Sequence, residues 1–177
     1  MTTVETLLRD PDTAGVWNLV PDRSTFGFTI RNLWGLMTVR GEFTDASGDG
    51  QVTAKGAVFG RLDIRAASVH TGIRKRDEHL RSADFLDVER YPDISVVVTA
   101  VEPTTSNAAN LRATLSIKGV ETPLPLPATI TMLDDGAVQI SATAQVDRAQ
   151  FNLDWNRLGM IAPTATASAD AIFVRAR

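Results

Sequence analysis

The sequence predicts an all-β fold built from antiparallel strands. Apolar and polar residues alternate with a period of two over four long stretches of the 177-residue chain. Turn signals separate those stretches, and a single charged run of helix formers interrupts them. Alternation of this kind marks strands with one dry and one wet face, which antiparallel sheets tolerate and doubly covered parallel sheets do not.

Residues 1–15 read as a loose or short helical lead-in, and residues 16–177 as one domain, the length being ample for one core and short for two. Ser24, Phe26, Phe28 and Ile30 alternate with Thr25, Gly27, Thr29 and Arg31 to give a strand, and Val39, Gly41 and Phe43 do the same against Thr38, Arg40, Glu42 and Thr44. Asp45-Ala-Ser-Gly-Asp-Gly50 then predicts a hairpin turn. Strands are expected near residues 61–70 and 94–101, joined by a long connection in which Arg74–Arg81 forms a short helix. Thr104–Asn110 is a polar loop. Leu111, Ala113, Leu115 and Ile117 face one side of the next strand. Pro123, Pro125 and Pro127 share a face and cannot donate ladder hydrogen bonds, so this piece is an edge or the start of a strand that continues through Thr129–Leu133. Asp134-Asp135-Gly136 closes a tight hairpin, and Val138, Ile140, Ala142, Ala144 and Val146 line the following strand. A closed barrel and a sandwich both satisfy this list, and a barrel removes the exposed edges.

Composition narrows function more than it assigns it. The formal charge of -3 offers nothing to nucleic acid, and no run approaches the roughly 18–20 apolar residues of a membrane span, so neither a nucleic-acid partner nor stable membrane insertion is expected. Cysteine is absent, which excludes disulfides, thiolate zinc sites and iron–sulfur clusters. The first twelve residues have neither a basic start nor the roughly 7–15 apolar residues of a secretory signal, so a cytoplasmic location is expected.

No catalytic constellation stands out. His70 and His79 are the only histidines, at a spacing that matches no metal motif. Ser24, Ser68 and Ser82 lack a nucleophile context, and Asp147-Arg148 reads as a turn or ion pair. No catalytic residue and no metal ligand is therefore assigned. Arg76, Asp77, His79, Arg81 and Asp84 form a charged cluster, either a salt-bridged loop pinned to the rim of the fold or a contact for a phosphate or quinone head group. Asp77 and His79 as an acid–base pair of an enzyme are the competing chemical reading. The apolar faces fit a solid core, or, with small residues at Gly41, Ala113, Ala142 and Ala144, a hollow one. Met132 and Met160 would be adaptable wall material. Trp17, Trp34 and Trp155 are expected at the ends of the fold, with Trp34 at a cavity mouth.

Five separated pieces resemble the YceI-like family of polyisoprenoid-binding, lipocalin-like proteins. They are Trp17-Asn-Leu-Val-Pro-Asp-Arg-Ser24 with Phe26-Gly-Phe28; Val39-Arg-Gly41-Glu-Phe43; the region Ser68–Thr71, Arg76–Ser82, Asp84–Val88 and Tyr91-Pro92; Leu115–Pro123; and Asp147-Arg148-Ala-Gln-Phe151-Asn-Leu153. The resemblance implies an extended eight-stranded antiparallel lipocalin-like β-barrel with a short helix in a long crossover. It further implies a non-enzymatic role in binding, storing or transporting a long isoprenoid amphiphile, an isoprenoid quinone or a polyprenyl phosphate, with no cofactor required and with homodimers frequent. On that basis the cavity wall is expected at Phe26, Phe28, Ile30, Val39, Phe43, Val96, Val98, Leu115, Ile117, Ile130, Met132, Ile140 and Ala142. The mouth or head-group contacts are expected at Trp34, Arg76, Asp77, His79 and Arg81. Relatives often carry histidines where this chain has Arg23 and Arg31-Asn32, so any head-group contact from those histidines is missing here. A solid-cored, stress-related interaction module remains the third reading.

Overall fold

The computed structural model describes residues 3–177. Eleven strand segments and two short α-helices follow one another: α1 (Val4–Arg9), β1 (Gly15–Leu19), β2 (Thr25–Asn32), β3 (Met37–Phe43), β4 (Ala46–Val52), β5 (Val58–Arg65), β6 (Val69–His70), α2 (Arg74–Arg81), β7 (Asp93–Pro103), β8 (Ala108–Ile117), β9 (Val120–Met132), β10 (Val138–Asp147) and β11 (Thr164–Arg175). All strand pairings are antiparallel.

The eleven segments make eight staves. β1 and β2 run along the same side of β11, β1 opposite Phe173–Arg175 and β2 opposite Thr166–Asp170, with only the 3₁₀ turn Pro21–Arg23 between them. β3 and β4 likewise form one interrupted stave, as do β5 and β6. β1 pairs with both β4 and β11 and so closes the ring. The result is the eight-stranded antiparallel barrel that the family resemblance implies.

One predicted turn is a strand. Asp45–Gly50 belongs almost entirely to β4, and the hairpin to β5 turns instead at Thr53–Ala57, where Gly56 takes φ 82°. The Asp and Gly content suggests a turn, yet Gly48 serves a close backbone approach. A Cβ at Gly48 would sit 2.8 Å from the Arg61 carbonyl oxygen on β5. The proline run behaves as an edge within a long strand. Pro123–Pro127 pair with β8 on one side, whereas the β9–β10 ladder runs only from Ala128 to Met132. The three prolines are exposed, and the intervening Leu124 and Leu126 face inward.

Two plugs fit the two ends. Val4 and Leu7 of α1 are buried with Trp17, Ala109, Ile130 and Val138, so the lead-in closes one end of the barrel. Trp17 donates its indole N–H to the Thr13 carbonyl there at 2.9 Å. At the opposite end, α2 and the Asp84–Tyr91 segment bridge the connection between β6 and β7. The main core cluster, which includes Phe26, Ile64, Val69, Ile94, Leu115 and Phe151, lies toward that end.

Candidate functional site

The inward faces do not fill the barrel. A cavity of about 750 Å³ occupies the half nearer α2, inside the roughly 300–1,000 Å³ range of ligand pockets. Of the two readings of the apolar faces, this interior matches the hollow one. The emptiness has a local cause. β10 and β11 face the bore with small residues in register, Ala142 opposite Ala169, Ala144 opposite Ala167 and Val146 opposite Ala165. Larger residues come from the other staves, among them Phe28 on the neighbouring β2 and Phe43, Leu62, Ile94 and Leu115 farther round the ring. Gly41 has its own role: a Cβ there would overlap the ring of Phe28, so its absence lets that ring lie against β3.

A second lobe of about 180 Å³ lies nearer α1. Phe26, Leu62, Val96, Leu126, Ala142 and Ala169 border both lobes, one residue from each of six strands, and together they form a waist. Val4, Leu7 and Leu8 of α1 cap the smaller lobe.

Most expected wall residues face this interior. Phe26, Phe28, Ile30, Val39, Phe43, Val96, Leu115, Ile117 and Ala142 line the main lobe, and Val98, Ile130 and Ile140 the smaller one. Met132 does not. It is the last residue of β9, where the inward face has left the barrel, and it is 41% exposed. Ala113 is buried without lining either lobe, and Met160 supports the β2–β3 tip, its carbonyl accepting the Trp34 N–H. The reading missed Leu124 and Leu126, hidden by the prolines, and Ala165, Ala167 and Ala169, whose period-two spacing was a usable signal.

The mouth is cationic. Lys75, Arg76 and His79 of α2 line the opening together with Arg148, Trp155 and Ile161. His79 bonds through Nε2 to Asp84 Oδ2 at 2.9 Å and stands edge-on to Phe85 and Trp155, with ring centroids 5.0 and 4.4 Å away. Arg76 Nε donates to the Thr71 hydroxyl at 2.8 Å and its Nη2 to the Thr71 carbonyl at 3.0 Å. Arg148 is 5% exposed. It donates to the carbonyls of Ala162 and Trp155 at 3.0 and 2.8 Å, and no carboxylate lies within ion-pair distance among the described residues. Burial lowers its pKa from the usual guanidinium value, against the opposing pull of Asp154.

Three expected mouth residues lie elsewhere. Asp77 is buried under the loop and accepts hydrogen bonds from the Thr71 amide and hydroxyl, with His70 Nδ1 3.5 Å from its other oxygen. Burial raises its pKa, but the Thr71 bonds, His70 and Arg81 outweigh that and hold it below the ordinary carboxylate value. Arg81 donates to the Ala67 and Val69 carbonyls and so anchors β6. Trp34 sits at the exposed β2–β3 tip, outside the cavity. Asp77 and His79 are each engaged by a different partner, and of the two only His79 lines the cavity. Among the described residues no group of three or more His, Asp or Glu could hold a metal ion.

A closed antiparallel barrel with a hollow apolar bore and one polar mouth places the protein in the lipocalin-like class. The chain belongs to the YceI-like family, whose domain profile matches residues 17–173. It is 33% identical over 106 residues to a UPF0312 protein of Pseudomonas putida, covering 60% of this chain and 54% of that one. A UPF0312 protein of Pseudomonas syringae pv. syringae is 34% identical over 104 residues, 58% of this chain and 54% of that one. The matches thus span about half the length of these relatives. Burkholderia cenocepacia BcnA has the same fold, with a TM-score of 0.79 at 19% identity over 87% of this chain and 98% of that one. A polyisoprenoid-binding domain from Saccharophagus degradans superposes with a TM-score of 0.75 at 17% identity, covering 90% and 98%. Among the described residues no helix is long and apolar enough to cross a membrane.

Proposed function

We propose that this protein binds and carries a long isoprenoid amphiphile, tail in the bore and head group at the α2 mouth, without catalysing a reaction on it and without a cofactor. The observation that carries this is the segregation of the cavity: its walls are mainly apolar, Lys75, Arg76, His79 and Arg148 gather in the main lobe, and the one basic residue of the smaller lobe, Arg61, is ion-paired with Asp63. A prenyl tail has no hydrogen-bonding groups, so it needs only apolar walls, and each carbon it buries contributes roughly 0.8 kcal/mol. Lys75, Arg76, Arg148 and His79 suit a head group that accepts hydrogen bonds, a phosphate or a quinone carbonyl. The Saccharophagus degradans neighbour, described as a polyisoprenoid-binding domain, supports the ligand class.

The test is a fluorescence titration of delipidated protein with prenyl quinones and prenyl phosphates of graded length, followed through Trp155 at the mouth. Saturable one-to-one binding is expected, with affinity rising at least about a hundredfold from one prenyl unit to a tail that fills both lobes. Binding that is unsaturable, or indifferent to tail length, contradicts the proposal.

A further inference from the structure

We propose that the rim around the α2 mouth is a docking surface for an anionic lipid bilayer, placing the cavity opening against the membrane. The inference rests on the carrier reading above and adds a partner to the same opening. Among the described residues, six of the ten exposed large hydrophobic side chains lie on three segments at this end: Trp34, Leu36 and Met37 on the β2–β3 tip, Ile73 before α2, and Trp155 and Leu158 on the loop leading to β11. The most exposed are Leu36 at 85%, Leu158 at 76% and Trp34 at 67%. These are large side chains to leave in water, and their concentration at one opening marks an interaction surface.

The backbone holds them there. Leu33, Trp34 and Leu158 take φ of 49°, 53° and 56°, a left-handed conformation that bulky residues rarely adopt. The two loops are stitched together, the Trp34 amide donating to the Met160 carbonyl and the Ala162 amide to the Arg31 carbonyl. The two tips are therefore tied to each other. Asn32 and Ile161, beside them, already line the cavity, so the apolar surface is continuous with the bore.

Charge selects the partner. Arg31, Arg74, Lys75 and Arg157 are exposed around this mouth against Glu78, Asp84 and Asp154, of which Glu78 is paired to Arg74 and Asp84 to His79, so the rim carries a basic excess although the whole chain is at -3. A basic rim around an apolar tip is the pattern of an interfacial anchor on anionic lipid. Two copies meeting rim to rim would instead bring like charges together. At the far end of the bore α1 packs against the smaller lobe, so the basic and apolar rim residues gather at this mouth alone of the two ends that α-helices cover. A water-insoluble tail then passes from bilayer to cavity without crossing bulk water.

The test is co-sedimentation with vesicles of phosphatidylcholine alone and with phosphatidylglycerol added, using wild type and the double variant Leu36→Glu/Leu158→Glu. Both leucines are exposed, so folding is expected to survive, which circular dichroism checks. Wild type is expected to bind the anionic vesicles, and to release as salt rises. The double variant is expected to lose vesicle binding by at least about tenfold while binding a detergent-presented prenyl quinone in the cavity as wild type does. Equal sedimentation of wild type and variant overturns the proposal, as does wild type that ignores anionic vesicles. A variant that instead abolishes a dimer seen by analytical ultracentrifugation, with vesicle binding unchanged, also overturns it and assigns the rim to self-association. Failure of prenyl-quinone binding with vesicle docking intact counts against the carrier reading alone.

Discussion

Replacing Ala142 by Phe is expected to cut the affinity for a long prenyl ligand about a hundred- to a thousandfold while leaving a short-tailed analogue nearly unaffected. Ala142 and Ala169 face each other across β10 and β11 at the waist between the two lobes. Their methyl groups border both lobes, and a phenyl ring at residue 142 is expected to fill the space between the two. A tail denied the second lobe loses burial of about one five-carbon unit, roughly 4 kcal/mol at 0.8 kcal/mol per carbon and hence up to about three decades in Kd. The ring projects into empty space, so the usual overpacking penalty of about 1–3 kcal/mol is expected at its lower end. Calorimetric titration with tails of two and of eight units separates the outcomes. Equal losses for both tails would mean that the residue acts on the whole cavity and that the waist is no gate.

Replacing Arg148 by Met is expected to destabilise the fold by about 3 kcal/mol, read as a lower urea midpoint. The buried guanidinium bonds to the carbonyls of Trp155 and Ala162 and so ties down both ends of the loop that carries Leu158. Each hydrogen bond from a charged donor is worth about 1.5–3 kcal/mol, and the two carbonyls would be left without their donor. Removing a costly buried charge offsets part of the loss. Arg148→Lys, with one donor group and less reach, is expected to fall between wild type and Met. An unchanged midpoint for the Met variant would show that the loop is held by its backbone contacts, such as the Arg148 amide to the Pro163 carbonyl.

Strand content was legible because period-two alternation reports directly which face is wet. β2, β3, β8 and β10 follow from it almost residue by residue. Turn chemistry was less reliable. The Asp- and Gly-rich run 45–50 lies almost wholly in β4, where Gly48 serves close strand approach, a tertiary cause that composition imitates with a turn signal. The interrupted staves were invisible, since nothing local says that β1 and β2 share one side of β11. The hollow interior was half visible. Ala142 and Ala144 were suspected, whereas Ala165–Ala169 acquire meaning only when register sets them opposite. The mouth was hardest. Arg76, Asp77, His79 and Arg81 are neighbours in sequence, but only Arg76 and His79 reach the cavity, while Asp77 and Arg81 hold the connection in place. Arg148 read as a turn residue because its partners, the carbonyls of Trp155 and Ala162, are backbone groups that no side-chain pattern announces.

The most direct test of the central claim is native mass spectrometry of the purified protein before and after organic extraction, with the extract analysed for lipids. The account predicts a mass excess that extraction removes, and a stoichiometric isoprenoid amphiphile in the extract. A protein that is empty as isolated, and that takes up neither prenyl quinone nor prenyl phosphate when these are added, would contradict it.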